Sequence, residues 1–144
     1  MQGEIIFTVR YAETDQMAIV HHSNFAVWAE AGRNDLLKSI GASNKIIEEN
    51  GALLPLYEMY FKFIFPAKFE DEILVSTKIK DISRVRISFS YEIKKAIDNK
   101  SIAVGRTMHA WTDKTLKPIN AKKIIPDIYS ILNMQQVNII EVNE

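Results

Sequence analysis

Apolar and polar residues alternate along the first segment of the chain, EIIFTVRY (4–11). A period of two residues is typical of a β-strand with one buried face. Four apolar side chains share that face: Ile5, Phe7, Val9 and Tyr11. Residues 12–23 are polar and irregular, so we expect the chain to leave the sheet there.

A helical repeat begins near Asn24, and either Ser23 or Asn24 can act as its N-cap. Gly41 marks its C-terminal end. The apolar or small residues at helical spacing are Phe25, Trp28, Ala29, Gly32, Leu36, Leu37 and Ile40. Because several are alanine or glycine, a sheet can approach this helix closely. The segment SNKIIEEN (43–50) predicts a second, short helix.

Four further segments have strand character: 52–65, 71–82, 84–96 and 101–113. Pro55 predicts an edge position or a bulge near the start of the first of them. A final helix is predicted over 122–134. Five strands with one apolar face need a cover, and a single long helix is available to provide it. We therefore predict one α+β domain over 1–144 with the hotdog arrangement, a curled five-stranded antiparallel sheet wrapped around a long central helix.

Composition excludes several classes of function. The 18 basic and 18 acidic residues balance, so no overall field draws the protein to nucleic acid. The chain has no cysteine, which excludes thiolate chemistry. Two of the three histidines, His21 and His22, are adjacent and would point apart on a regular element, so no metal site is expected. No signal peptide or membrane span is recognisable, and we expect a cytoplasmic protein without a cofactor.

One loop carries candidate chemistry. Asp15 precedes His22 by seven residues, and the loop ends at a helix N-terminus, where unpaired N–H groups can hold a developing oxyanion. A carboxylate opposite such a donor can attack a carbonyl carbon or activate water, so ester or thioester hydrolysis fits best. The residues also allow plainer uses: an Asx-turn at Asp15, a solvated or core histidine at His22, and helix caps at Ser23 and Asn24.

The segment VRYAETDQMAIVHHSNFAVWAEAGR resembles the N-terminal signature of the 4-hydroxybenzoyl-CoA-thioesterase-like hotdog family. That signature is an aromatic residue, two residues, T/C-D, two residues, G-x-V-x-H-x-N-Y and a helix with E-x-x-R. The segments FIFPAKFEDEILVSTKI and TDKTLKP resemble later motifs of the family. The branch most similar to this chain is that of the small bacterial acyl-CoA thioesterases associated with the Tol–Pal system.

The resemblance implies roles for individual residues. Asp15 matches the catalytic aspartate, His22 the histidine of the nearest branch, and Tyr11 the aromatic residue before the aspartate. The N–H of His22 matches the carbonyl-polarising donor, and Asn24 matches the helix-start asparagine that we expect to contact substrate. The family forms homodimers or homotetramers with active sites between subunits.

Three positions depart from the family pattern. Ala18 replaces a glycine and resists the positive φ that a glycine allows. His21 replaces a frequent tyrosine, and Phe25 replaces a tyrosine after Asn24, which removes a hydroxyl group. None of these changes deletes the acid or the polarising donor, so activity is still expected.

Coenzyme A, as part of the substrate, would bring phosphates to the surface. Arg84 and Arg86 are the candidates to bind them, although a solvated charge is the more frequent role for each. Weaker candidates are Lys62, Lys68 and Lys80. The predicted function is acyl-CoA thioester hydrolysis. The alternatives are a hotdog dehydratase acting on hydroxyacyl thioesters and a non-catalytic module that binds acyl thioesters.

Overall fold

A five-stranded antiparallel sheet forms the frame of the molecule, in the order β1-β3-β4-β5-β2. The computed structural model describes the backbone of residues 2–143 and the side chains of residues 3–136. The strands are β1 (Gln2–Thr8), β2 (Leu56–Phe63), β3 (Glu72–Ile82), β4 (Arg86–Lys95) and β5 (Ser101–Ala110). The helices are α1 (Ser23–Ser39), α2 (Asn44–Glu49), α3 (Ala121–Ile124) and α4 (Pro126–Asn143). The predicted α+β hotdog arrangement is confirmed.

The inner face of the sheet is apolar and packs on α1. Every second residue of β3 and β4 is buried there, as the alternation predicted. Two clusters form the core. The larger cluster joins α1, α2, α3 and α4 to the C-terminal half of β3 and the N-terminal half of β4. The smaller cluster lies beneath the first turns of α1. Representative members of the larger cluster are Leu36, Leu37, Ile79, Phe89, Trp111 and Leu132.

Gly32 sets how closely α1 can approach the sheet. A Cβ at this position would lie 2.6 Å from Thr77 Oγ1 and 3.0 Å from Val75 Cγ1, and real side chains do not pack so closely. The small-residue face of the helix thus serves the purpose predicted from the sequence. It seats α1 directly on β3.

A directed chain of hydrogen bonds crosses the core beside this contact. His109 Nδ1 lies 3.1 Å from Leu54 O, and His109 Nε2 lies 2.9 Å from Thr107 Oγ1. A carbonyl only accepts, so Nδ1 carries the proton and Thr107 donates to Nε2. Tyr91 in turn donates to Thr107 over 2.6 Å, and Arg33 donates to Tyr91 over 3.0 Å. Burial, assisted by the Arg33 charge, lowers the pKa of His109 to about 4, so the imidazole is neutral at pH 7.

The boundaries of β1 and α1 differ from those predicted. β1 ends at Thr8 rather than at Tyr11, because the Arg10 N–H binds the Glu13 carboxylate instead of a neighbouring strand, and residues 11–13 form a 3-10 turn. The N-cap of α1 is His22 rather than Ser23 or Asn24.

The predicted final helix is divided in two. Ile125 separates α3 from α4 with φ −129° and ψ 60°, because the residue before Pro126 avoids the helical conformation.

The prediction that Pro55 marks an edge or a bulge is confirmed: β2 is an edge strand, and its register shifts between Leu56 and Glu58. No helix in the described part of the chain is both long and apolar enough to cross a bilayer.

The variant Gly32→Ala tests the close approach of α1. Helix propensity alone favours alanine by about 1 kcal/mol, whereas overpacking typically costs about 1–3 kcal/mol. A contact as short as 2.6 Å calls for the upper part of that range, so we expect a net loss of free energy of unfolding of about 1–2 kcal/mol in urea denaturation. The exposed helix position Asp35 provides the control, since Asp35→Ala should change stability by less than about 0.5 kcal/mol. Equal or greater stability of Gly32→Ala would show that α1 is not in tight contact with β3.

Candidate active site

An open cavity of about 330 Å³ lies between the loop before α1, the first turn of α1 and the segment that follows β2. Its wall is mostly apolar, with one carboxylate and one imidazole. The lining residues are Asp15, Met17, Ile19, Val20, His22, Phe25, Phe63, Ile64, Phe65, Pro66 and Ala67. The structure therefore brings together two of the predicted catalytic residues, Asp15 and His22.

A tight turn presents Asp15 at this cavity. Thr14 and Val20 form an isolated antiparallel bridge, the Asp15 N–H donates to Ile19 O over 2.9 Å, and the Ala18 N–H donates to Asp15 O over 2.9 Å. Ala18 has φ +63°. Alanine therefore adopts the left-handed conformation for which the family pattern has glycine, at a cost of about 1–2 kcal/mol.

Asp15 can form an Asx-turn and still present a carboxylate oxygen for catalysis. Its Oδ1 accepts the Met17 N–H over 2.8 Å, which is the Asx-turn that the sequence allowed. In the described part of the chain Oδ2 accepts no hydrogen bond. One carboxylate oxygen thus holds the turn, while the other remains available to a ligand.

The residue that precedes α1 has a backbone donor without an acceptor in the described part of the chain. The Ser23 N–H donates to His21 Nδ1, the Asn24 N–H to His21 O, and the Phe25 N–H to His22 O. The backbone N–H of His22 has no acceptor among the described residues. This group lies at the positive end of the helix dipole, and His22 lines the cavity.

The paired histidines have different environments. His21 Nδ1 lies 2.8 Å from Ser23 Oγ, so His21 braces the first turn of the helix. The His22 imidazole is exposed and has no hydrogen bond within the described chain. The two rings lie together, with centroids 4.1 Å apart, because both residues precede the regular helix, on which they would point apart.

Tyr11 and Asn24 lie outside the cavity wall. Tyr11 is 76% exposed, and its ring meets the edge of Phe69 with centroids 5.5 Å apart. The Asn24 side-chain amide donates to Glu13 O over 3.0 Å and to His21 O over 3.2 Å, so it fastens the loop to the helix.

Arg84 and Arg86 lie at the other end of the sheet. β4 runs ten residues, from Arg86 to Lys95, which corresponds to roughly 30 Å at about 3.3 Å per residue. Lys95 is at the cavity end, since its Nζ lies 5.1 Å from the ring centroid of Phe65. Within one chain, therefore, the two arginines are far from Asp15.

Glu13 and Trp28 form a buried polar contact beneath the loop that the sequence did not reveal. Glu13 Oε2 accepts the Trp28 indole N–H over 2.8 Å. The two residues are 15 positions apart, and no periodic pattern links them.

Among the described side chains, no three histidine or acidic residues are grouped so that they could hold a metal ion.

Comparison with known proteins assigns the chain to a family. The model of the thioesterase-like superfamily matches residues 9–132. The putative acyl-CoA thioesterase YneP of Bacillus subtilis is 36% identical over 120 residues, which cover 83% of this chain and 86% of the relative. The acyl-acyl carrier protein thioesterase ATL3 of Arabidopsis thaliana is 28% identical over 116 residues, covering 81% of this chain and 61% of the relative.

The solved structures include a DHNA-CoA thioesterase from Staphylococcus aureus that superposes with a TM-score of 0.91 at 26% identity, covering 97% of this chain and 94% of that one. These matches support the predicted enzyme class, a thioester hydrolase. The chain belongs to the thioesterase-like superfamily of hotdog proteins.

Proposed function

We propose that this protein hydrolyses an acyl-CoA thioester in the cavity between Asp15 and the start of α1. The observation that carries the proposal is the backbone N–H of His22, which has no acceptor among the described residues and belongs to a residue that lines an apolar cavity together with Asp15. Such a donor is worth most where water is excluded and where negative charge develops on a carbonyl oxygen.

The reaction consumes one water molecule and releases a carboxylic acid and a free thiol. The thioester carbonyl oxygen would accept the His22 N–H. Asp15 would then either attack the carbonyl carbon, giving an acyl-enzyme anhydride that water cleaves, or remove a proton from a water molecule that attacks directly. In both routes the carbon–sulfur bond breaks and the sulfur leaves with its electron pair and is protonated.

The other predicted residues would have supporting roles. The exposed His22 imidazole is free to donate a proton to the leaving sulfur. Asn24 would act through the loop that it fastens, and Tyr11 would contact substrate only if the loop or a second subunit brings it to the cavity. No cofactor is required, because coenzyme A is part of the substrate.

The finer assignments are also proposals. The motif in residues 9–33 supports a place near the 4-hydroxybenzoyl-CoA thioesterases and the small Tol–Pal-associated enzymes. A cytoplasmic location follows from the substrate class. The carrier is coenzyme A in the name of the Bacillus subtilis relative and an acyl carrier protein in that of the Arabidopsis thaliana relative.

A second copy of the chain would complete the cavity. The outer edge of β2 is unpaired in the described chain, and six large apolar side chains along it are about half exposed: Leu56, Tyr57, Met59, Tyr60, Phe63 and Ile64. Phe63 and Ile64 also line the cavity. An unpaired apolar edge favours pairing with another strand, so we propose a homodimer joined along β2, or a tetramer built from two such dimers.

This assembly would explain the position of the arginines. In an antiparallel pair of β2 strands, the end of one strand lies beside the start of the other. The start of β2 pairs with His109 of β5, and Arg86 pairs with Ala110. The Arg84 and Arg86 of a second subunit would therefore lie at the cavity end of the first, where they can meet the phosphates of coenzyme A.

The variant Asp15→Asn tests the catalytic acid. Asparagine keeps the oxygen that accepts the Met17 N–H, so the turn should survive while attack and proton transfer are lost. We expect thiol release from acyl-CoA to fall by at least about 10²-fold, with fold and oligomeric state unchanged. Asp98→Asn is the matched control, because Asp98 makes the same turn with the Lys100 N–H and is not among the residues that line the cavity.

The substrate panel for this experiment should contain acyl-CoAs of different chain length, aromatic acyl-CoAs and acyl carrier protein thioesters. Unchanged thiol release in Asp15→Asn would contradict the proposal. Loss of water without thiol release would indicate the dehydratase, and binding without either reaction would indicate the non-catalytic module.

The double variant Leu56→Lys, Met59→Lys tests the assembly. Two lysines on the β2 edge should prevent strand pairing and desolvation of the apolar surface. We expect the mass measured by light scattering to fall to that of one chain, with loss of thiol release. Ile6→Lys is the control, because Ile6 is an exposed apolar residue of β1 at the opposite edge of the sheet. A wild-type protein that is already monomeric and active would contradict a shared site.

The double variant Arg84→Ala, Arg86→Ala tests phosphate binding. We expect KM for acyl-CoA to rise by about 10-fold, which corresponds to about 1.4 kcal/mol, with kcat nearly unchanged. KM for the matching acyl-pantetheine, which lacks the phosphates, should not change. The exposed lysines of other surfaces, Lys38 and Lys45, provide a charge-matched double alanine control. An equal rise in KM for both substrates would contradict this role.

A further inference from the structure

Glu13 is a buried acidic residue that the proposed chemistry does not use. It lies two positions before Asp15 and is 4% exposed. A buried carboxylate is costly unless hydrogen bonds or an opposite charge compensate for the lost hydration. The burial of the Glu13 carboxylate must therefore be explained by the groups that contact it.

Two donors from different parts of the chain meet the carboxylate. Glu13 Oε1 accepts the Arg10 backbone N–H over 2.8 Å, and Oε2 accepts the Trp28 indole N–H over 2.8 Å. The Arg10 guanidinium is 3.5 Å from Oε1 but is largely solvent-exposed, so its charge contributes little. Burial alone would raise the pKa of Glu13, but these hydrogen bonds hold it below its ordinary value. Glu13 is thus ionised at neutral pH.

The main chain of Glu13 holds the other side of the loop. Glu13 O accepts the His21 N–H over 2.8 Å and the Asn24 side-chain amide over 3.0 Å. Glu13 therefore connects the segment after β1, the first turns of α1 and the end of the loop at His21. Asp15 is two residues beyond it, and the unpaired N–H belongs to the residue after His21.

We propose that Glu13 is a positioning residue whose buried carboxylate fixes the Asp15 turn relative to the His22 N–H, an inference that rests on the proposed function. The carboxylate is required because its two donors need two acceptor oxygens. A glutamine offers one oxygen, so its amide would place a donor against either the Arg10 N–H or the Trp28 indole. Displacements of about 1 Å in such geometry can lower a rate by about 10²-fold.

Steady-state kinetics of Glu13→Gln provides the first test, at a temperature well below the unfolding midpoint of each variant. We expect kcat for thiol release to fall by about 10- to 100-fold, with KM changed by less than about 3-fold. Trp28→Phe should act in the same direction, and the double variant should lose less than the product of the two single losses, because both remove one interaction. Glu48→Gln, at an exposed position on α2 outside the family signature, is the matched control and should keep wild-type rates.

The two tryptophans supply a second readout, independent of activity. Trp28 donates its indole N–H to a carboxylate, whereas the buried indole N–H of Trp111 has no partner in the described structure. In ¹H–¹⁵N spectra, Glu13→Gln should move the Trp28 indole signal and the backbone amide of His22, and should leave the Trp111 indole signal in place. A merely stabilising residue would lower the unfolding midpoint without moving His22 or kcat.

Failure of this inference can be separated from failure of the proposed function. Absence of thiol release from the wild-type protein would overturn the function, and with it the catalytic meaning of Glu13. An active wild type with unchanged kcat in Glu13→Gln, or a His22 amide that does not move, would overturn only the positioning role.

Discussion

The contact between Gly32 and β3 is the constraint on which the rest of the structure depends. A helix carrying any side chain at this position would stand away from Thr77 and Val75. The core clusters on either side of the contact, the hydrogen-bond chain from Arg33 to Leu54, and the place where the N-terminus of α1 emerges all require that spacing. The candidate site is located at the end of the helix that this contact fixes.

The site itself depends on incomplete hydrogen bonding at the helix start. His21 satisfies the N–H groups of Ser23 and Asn24 with its ring and its carbonyl. The His22 N–H has no acceptor in the described chain, and His22 lines an apolar cavity together with a carboxylate held by its own turn. An unpaired donor in such surroundings lowers stability slightly and is useful when an anionic oxygen forms next to it. The arrangement fits the hydrolysis of thioesters, for which the family is named.

Sequence patterns predicted the fold well, because alternation and helical spacing report directly on burial. The five strands, the central helix and the edge position of β2 all follow from periodicity and from Pro55. Strand and helix ends were less accurate. β1 stops early because the Glu13 side chain captures the Arg10 N–H, and Ile125 interrupts the last helix because it precedes a proline. The bond to Glu13 leaves no periodic signal, whereas the break before Pro126 is a sequence signal that helical spacing alone does not report.

The candidate site was only partly predictable for the same reason. Asp15 and His22 could be placed together because they flank one loop and match a family motif. Glu13 could not, since its partners are an indole 15 residues away and a backbone N–H. Arg84 and Arg86 show the opposite case. Their charge was visible in the sequence, but their distance from Asp15 depends on strand direction and, in the proposed dimer, on the arrangement of the second subunit.

The most direct test of the central claim is the amide signal of His22 during titration with an acyl-CoA analogue in which a methylene group replaces the thioester sulfur. Such a ketone keeps the carbonyl oxygen but cannot be hydrolysed. The account predicts a downfield shift of the His22 N–H that saturates with binding, with smaller changes at Ser23, Asn24 and Phe25, whose N–H groups already have acceptors. Saturable binding that leaves the His22 signal in place would contradict the account.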